Sequence, residues 1–144
     1  MREHTLCILK PDAVHRGIVT AVLTRLEDHG FVIRAMRMHR LTKPEAITLY
    51  AEHAGKPFFA RNLKFMTAYG PSVLLMLDTD LTKPSAACVR LLEKKASLRQ
   101  EFAQKYGPDE MPEPAHNVLH ASDSLDAARR ETAFFFPGAE YASL

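Results

Sequence analysis

"HTLCILKPD", His4 to Asp12, decides how the rest of the chain is read. Its apolar run is too short for a buried helix and stops abruptly at Pro-Asp, so residues 4–9 read as a buried strand. The C-terminal end of that strand delivers Lys10 to the edge of a sheet. Working outward, Ile18, Val19, Val22, Leu23 and Leu26 keep the helical period, and Gly30 stands where a glycine would close the helix. "FVIRAMRMHRL" (31–41) is β-branched, aromatic and methionine-rich with partial alternation, which suits a half-buried second strand.

"PEAITLYAEH" (44–53) reads as a short helix with proline in its first turn and Tyr50 near its end. After the turn "AGKPFF", the segment "ARNLKFMTAYG" (60–70) reads as another short helix, stopped by Gly70. "PSVLLMLD" (71–78) is a continuous apolar run and gives a central strand. Pro84 restarts helix through Gly107, with a break suggested near Ser97, and "PDEMPEP" (108–114) is a proline-punctuated loop. "HNVLH" (116–120) is a short fourth strand. "LDAARRETAFFF" (125–136) is a helix with Leu125, Ala128, Thr132 and Phe135 on one face.

This order of strands and helices predicts an α+β domain. The expected architecture is a ferredoxin-like, split β-α-β, four-stranded antiparallel sheet with covering helices, which by itself implies no function. The chain reads as one domain over residues 1–144, without internal repeats. Its 47% hydrophobic and 25% charged content is that of a globular protein. A net charge of +2 is too small for a nucleic-acid footprint, and the strands lack paired aromatics. Cys7 and Cys88 lie in apolar surroundings, as buried thiols in a reducing compartment do. The N-terminal apolar run, cut by Lys10 and Pro11, is neither a signal peptide nor a membrane span, so a cytoplasmic location is expected.

The chemistry concentrates in "HNVLHASDS", His116 to Ser124. Imidazole is both nucleophilic and substantially neutral near neutral pH, and His120 precedes Asp123 and Ser124, which are good helix N-caps. Backbone N–H groups there favour a phosphate or another anion. Glu131, about two turns into the helix, can point inward and hold the second ring nitrogen. The same spacing equally allows residues 122–124 merely to cap a helix, with Glu131 in solvent. A metal held by His116 and His120 lacks further ligands nearby. Lys10, Arg90 and Arg99 could converge on one cleft and clamp phosphates, and Phe58 after Pro57 could offer a ring for stacking on a base.

"LCILKPDAVHRG", "YAEHAGKPFF" and "NVLHASDSLDAARRE" resemble the three signature stretches of the nucleoside diphosphate kinase family, in order, from about His4 to Pro137. The resemblance implies a ping-pong exchange of the γ-phosphoryl group between ATP or other nucleoside triphosphates and nucleoside diphosphates, through a phosphohistidine. It makes His120 the nucleophile, Glu131 the carboxylate behind it, and Ser122 the serine supporting that pair. Lys10 and Tyr50 match groups near the transferred phosphate, and Arg90 and Arg99 the two phosphate-binding arginines. Asn117 matches the residue on the sugar hydroxyl and Phe58 the ring stacked on the base. The implied cofactor is Mg²⁺ held mainly by substrate phosphates, and the implied assembly is a homo-oligomer.

Three departures qualify the match. Ala121 stands where the family usually has glycine, which requires a negative φ there. "RLLEKKASLRQ" (90–100) has no counterpart of the family's glycine- and threonine-containing loop, with Ser97 as the candidate replacement hydroxyl. "FAQKYGPDEMPEPAH" (102–116) is longer and richer in proline than the corresponding family stretch. The altered loop motivates an alternative, a nucleotide-binding or scaffold protein of the same fold without useful turnover.

Overall fold

Along β1 (Thr5–Leu9) and β3 (Ser72–Thr79) every residue is buried, with successive side chains serving opposite faces of the sheet. Cys7, Leu9, Val73, Leu75 and Leu77 build one core with Val22 and Leu26 of α2 (Val19–Asp28) and Leu91, Leu98 and Phe102 of α5 (Ala87–Tyr106). Leu6, Ile8, Leu74 and Met76 build the other. Their partners are Ala46 and Leu49 of α3 (Lys43–Leu49), Phe65 and Met66 of α4 (Phe59–Ala68) and Phe135 of α6 (Leu125–Phe135). Helices on both faces explain why the central strands read as unbroken apolar runs. The computed structural model describes residues 4–79, 87–106 and 118–138.

The sheet runs β2-β3-β1-β4, with β2 at Phe31–His39, β4 at Leu119–Ala121, and every pairing antiparallel. This is the ferredoxin-like order the sequence predicts. β2 and β4 are the edges. β2 is only half buried and leaves Met36 and Met38 exposed, while an irregularity between Ile33 and Ala35 lets Arg34 Nε reach Asp78 Oδ2 at 3.1 Å. No described helix is long and apolar enough to cross a membrane.

Several boundaries differ from the sequence reading. Pro11 and Asp12 do more than end a strand: they open a short helix, α1 (Pro11–His15), with proline in its first turn. The segment 44–53 splits into α3, started by a Thr42–Glu45 capping box, and a 3-10 turn at Ala51–His53. α5 runs unbroken through Ser97, whose hydroxyl donates to the Lys94 carbonyl at 3.0 Å without interrupting the helix. Leu125, expected on the apolar face of the last helix, is 40% exposed in its first turn. The proline-punctuated loop, Pro84, His116 and Asn117 lie outside the described residues.

Candidate active site

Alternation along β4 sets the site. Leu119 and Ala121 enter the core under α5, so His120 between them faces the opposite side of the sheet, toward α6. The buried stripe of α6, Ala127, Ala128, Glu131, Thr132 and Phe135, follows the helical period and carries the Glu131 carboxylate inward. Ser124 caps this helix by accepting from the Ala127 N–H at 3.0 Å. The result is a buried triad: His120 Nε2 lies 2.9 Å from Glu131 Oε1, and the Ser122 hydroxyl donates to that same oxygen at 2.9 Å. A carboxylate can only accept, so the contact selects a proton on Nε2, and in the neutral ring that leaves the lone pair on Nδ1.

Two backbone clamps hold this short strand. Lys10 N–H donates to the Val118 carbonyl at 2.8 Å, and Val118 N–H donates to buried Asp12 Oδ2 at 2.9 Å. Between them Val118 adopts φ 76°, a left-handed conformation that costs a β-branched residue roughly 1–3 kcal/mol. Ala121 is not among the positive-φ residues, so its methyl is accommodated where the family usually has glycine.

Lys10, Tyr50, Lys95, Arg99 and His120 line a cleft of about 330 Å³. Lys10 is buried, and desolvation, reinforced by Arg99, lowers its pKa to about 7. Burial likewise lowers Lys95 and Arg99, and Arg99 depresses Lys95 further. Arg99 is fixed by donating through Nε and Nη2 to the Leu119 carbonyl at 3.3 and 2.7 Å, on the outer side of the edge strand. The Tyr50 ring meets the His120 ring edge-on, 6.0 Å between centroids. Its hydroxyl is buried with no hydrogen-bond partner among the described residues, and burial raises its pKa, so it stays a neutral donor.

Phe58 and Asn62 line the same cleft, and the rings of His53 and Tyr50 stand between Phe58 and His120. The half-buried Phe58 ring lies 5.6 Å from that of His53, and the Lys56 ammonium is 5.9 Å from its centroid. Such an aromatic shelf in a cation-lined cleft suits a planar group carrying phosphates. No three His, Cys, Asp or Glu side chains among the described residues are arranged to hold a metal ion.

The fold therefore brings together Lys10, Tyr50, Phe58, Arg99, His120, Ser122 and Glu131. It does not bring in Arg90. That side chain is exposed and donates to the His29 carbonyl at 3.0 Å, beside Gly30. The reason is geometric: nine residues along an unbroken helix set Arg90 half a turn from Arg99, and only the break that α5 lacks could have realigned them. Lys95, which sequence reasoning passed over, and Asp123, which it read as a helix cap, do line the cleft. The signal for Lys95 was its spacing one turn before Arg99.

The family model for nucleoside diphosphate kinase matches residues 3–141. A nucleoside diphosphate kinase of Histophilus somni (strain 2336) is 39% identical over 149 residues, spanning 96% of this chain and 95% of its own. One from Staphylothermus marinus is 36% identical over 134 residues, 93% of this chain and 92% of its own. Among solved structures, the Aquifex aeolicus nucleoside diphosphate kinase matches with a TM-score of 0.78 at 32% identity, covering 97% of this chain and 99% of that one. A halophilic nucleoside diphosphate kinase from Halobacterium salinarum, in complex with CDP, matches at 0.70 and 30% identity, covering 97% and 91%.

Proposed function

The chain belongs to the nucleoside diphosphate kinase family, and on that premise we propose that it passes the γ-phosphoryl group of a nucleoside triphosphate to a nucleoside diphosphate through a phosphohistidine on His120. In the first half-reaction the Nδ1 lone pair attacks the γ-phosphorus in line, the bond to the β–γ bridging oxygen breaks, and the diphosphate leaves with that electron pair. In the second, a terminal β-phosphate oxygen of another nucleoside diphosphate attacks the same phosphorus and the P–N bond breaks. Glu131 holds the Nε2 proton and offsets the positive charge the ring gains, while Ser122 fixes Glu131.

Lys10, Arg99 and the Tyr50 hydroxyl face the charge spread over the phosphoryl oxygens. Phe58 stacks on the base through a face every base possesses, which makes base preference loose. Asn117, by resemblance, takes the sugar hydroxyl. Mg²⁺, by resemblance, would be held mainly by the nucleotide's own phosphates, where it would offset their charge. Buried Cys7 and Cys88 fit a reducing cytoplasm, and exposed Met36 and Met38 on the β2 edge fit a homo-oligomer.

The observation that carries this reading is the 2.9 Å Nε2–Oε1 pair on a ring that lines a cation-walled cleft. Incubation with γ-labelled ATP is expected to give an acid-labile, base-stable phosphoprotein that discharges onto any nucleoside diphosphate, and His120→Ala to abolish it. Label persisting in that variant would defeat the assignment. Tight nucleotide binding by a wild-type chain that never becomes labelled would select the binding-protein alternative.

A further inference from the structure

Arg90 turns away from the cleft, yet its wall still carries a third cation. Lys95 precedes Arg99 by one turn on the same face of α5 and lines the cleft with Lys10 and His120. Its ammonium lies 3.8 Å from Asp123 Oδ1, too far for a hydrogen bond, and that aspartate is half exposed. Arg99, by contrast, is anchored on the Leu119 carbonyl. We propose that Lys95 is a phosphate-binding residue of this cleft, taking phosphoryl oxygens of the bound nucleotide in the place expected of Arg90. The inference rests on the cleft being a nucleotide site.

Charge balance supports it. Lys10, Lys95 and Arg99 share the cleft with Glu52, Asp123 and Glu131, but Glu131 is held by His120 and Ser122 and Glu52 by Arg130, while Asp12 nearby is engaged in part by the Val118 N–H. Lys95 and Arg99, joined by Lys10 when it is protonated, face one loosely held aspartate and leave an excess of positive charge that a polyphosphate would neutralise. A flexible lysine can exchange the distant Asp123 carboxylate for a phosphoryl oxygen without disturbing the helix.

Calorimetric titration with ADP and with adenosine separates the phosphate contribution from that of the base. Lys95→Ala is expected to weaken ADP binding on the order of tenfold or more, as loss of a charged hydrogen bond does, and to leave adenosine binding unchanged. Lys95→Arg should recover most of the loss. Lys94→Ala removes an equal charge from the neighbouring position, which does not line the cleft, and should keep wild-type ADP affinity. ADP affinity in Lys95→Ala within twofold of wild type would overturn the proposal. So would an equal loss of adenosine binding, or a larger ADP loss in Arg90→Ala. Because equilibrium binding needs no transfer, a wild-type chain that binds ADP without forming phosphohistidine defeats the kinase reading and leaves Lys95 standing. Phosphohistidine formation with undiminished ADP affinity in Lys95→Ala defeats Lys95 alone.

Discussion

Lys10 makes nucleotide binding a proton-uptake event. Burial and the neighbouring Arg99 hold its pKa at about 7, so at roughly pH 8 only about a tenth of the free sites carry the proton. A polyphosphate against Nζ adds to the opposite charge of Asp12, and returns the group toward its ordinary value of 10.5. The expected uptake is then about 0.9 proton per nucleotide at roughly pH 8, falling to about 0.1 at roughly pH 6, where Lys10 is already charged. Calorimetry with ADP in buffers of different ionisation enthalpy reads this number directly as a slope. Near pH 8 the nucleotide's own phosphates have already lost their protons, so they add little. A slope near zero in the wild type, or an equal slope in Lys10→Met, would refute the reasoning.

The same shift has a sign in stability. Between the folded value of about 7 and the unfolded value of 10.5 the unfolded chain holds the extra proton, so stability rises with pH across that window. Below the folded value the penalty is fully felt. Lys10→Met should therefore raise the melting temperature more at about pH 6 than at about pH 10.

Two other substitutions test the parts around the nucleophile. Glu131→Gln keeps an acceptor for the Nε2 proton but loses its charge; single-turnover phosphorylation should slow by roughly 10–100-fold with ADP affinity unchanged, and a wild-type rate would remove Glu131 from the mechanism. Asp12→Ala strands the buried Val118 N–H and should cost about 1–3 kcal/mol in urea-induced unfolding while also slowing phosphorylation, and an unchanged midpoint would show that this clamp holds nothing.

The sheet was legible in the sequence because burial on both faces writes itself as continuous apolar runs, as in residues 71–78 and 4–9. The triad was legible too, since strand alternation and the 3.6-residue helical period independently turn His120 and Glu131 toward each other. α1 was hidden because Pro-Asp serves equally as a strand stop and a helix start. Arg90 was expected beside Lys10 and Arg99 from the resemblance and from convergence of separated cations, whereas the continuity of α5, invisible where a break near Ser97 was read, turns it half a turn from Arg99. Lys95 escaped because its one signal, a position one turn before Arg99, matters only once α5 is known to be continuous there. Strain at Val118 had no signal, because valine is a residue that this backbone geometry disfavours.

β4 is only three residues long, and the cleft beside it takes Lys95 and Arg99 from α5 on one side of the sheet and Glu131 of α6, with residues between Leu49 and Asn62, on the other. A nucleotide seated there as proposed would bridge the two layers of helices across this short strand. Resistance to melting should therefore climb with each phosphate the ligand carries, from adenosine through AMP to ADP, tracking that charge rather than the identity of the base.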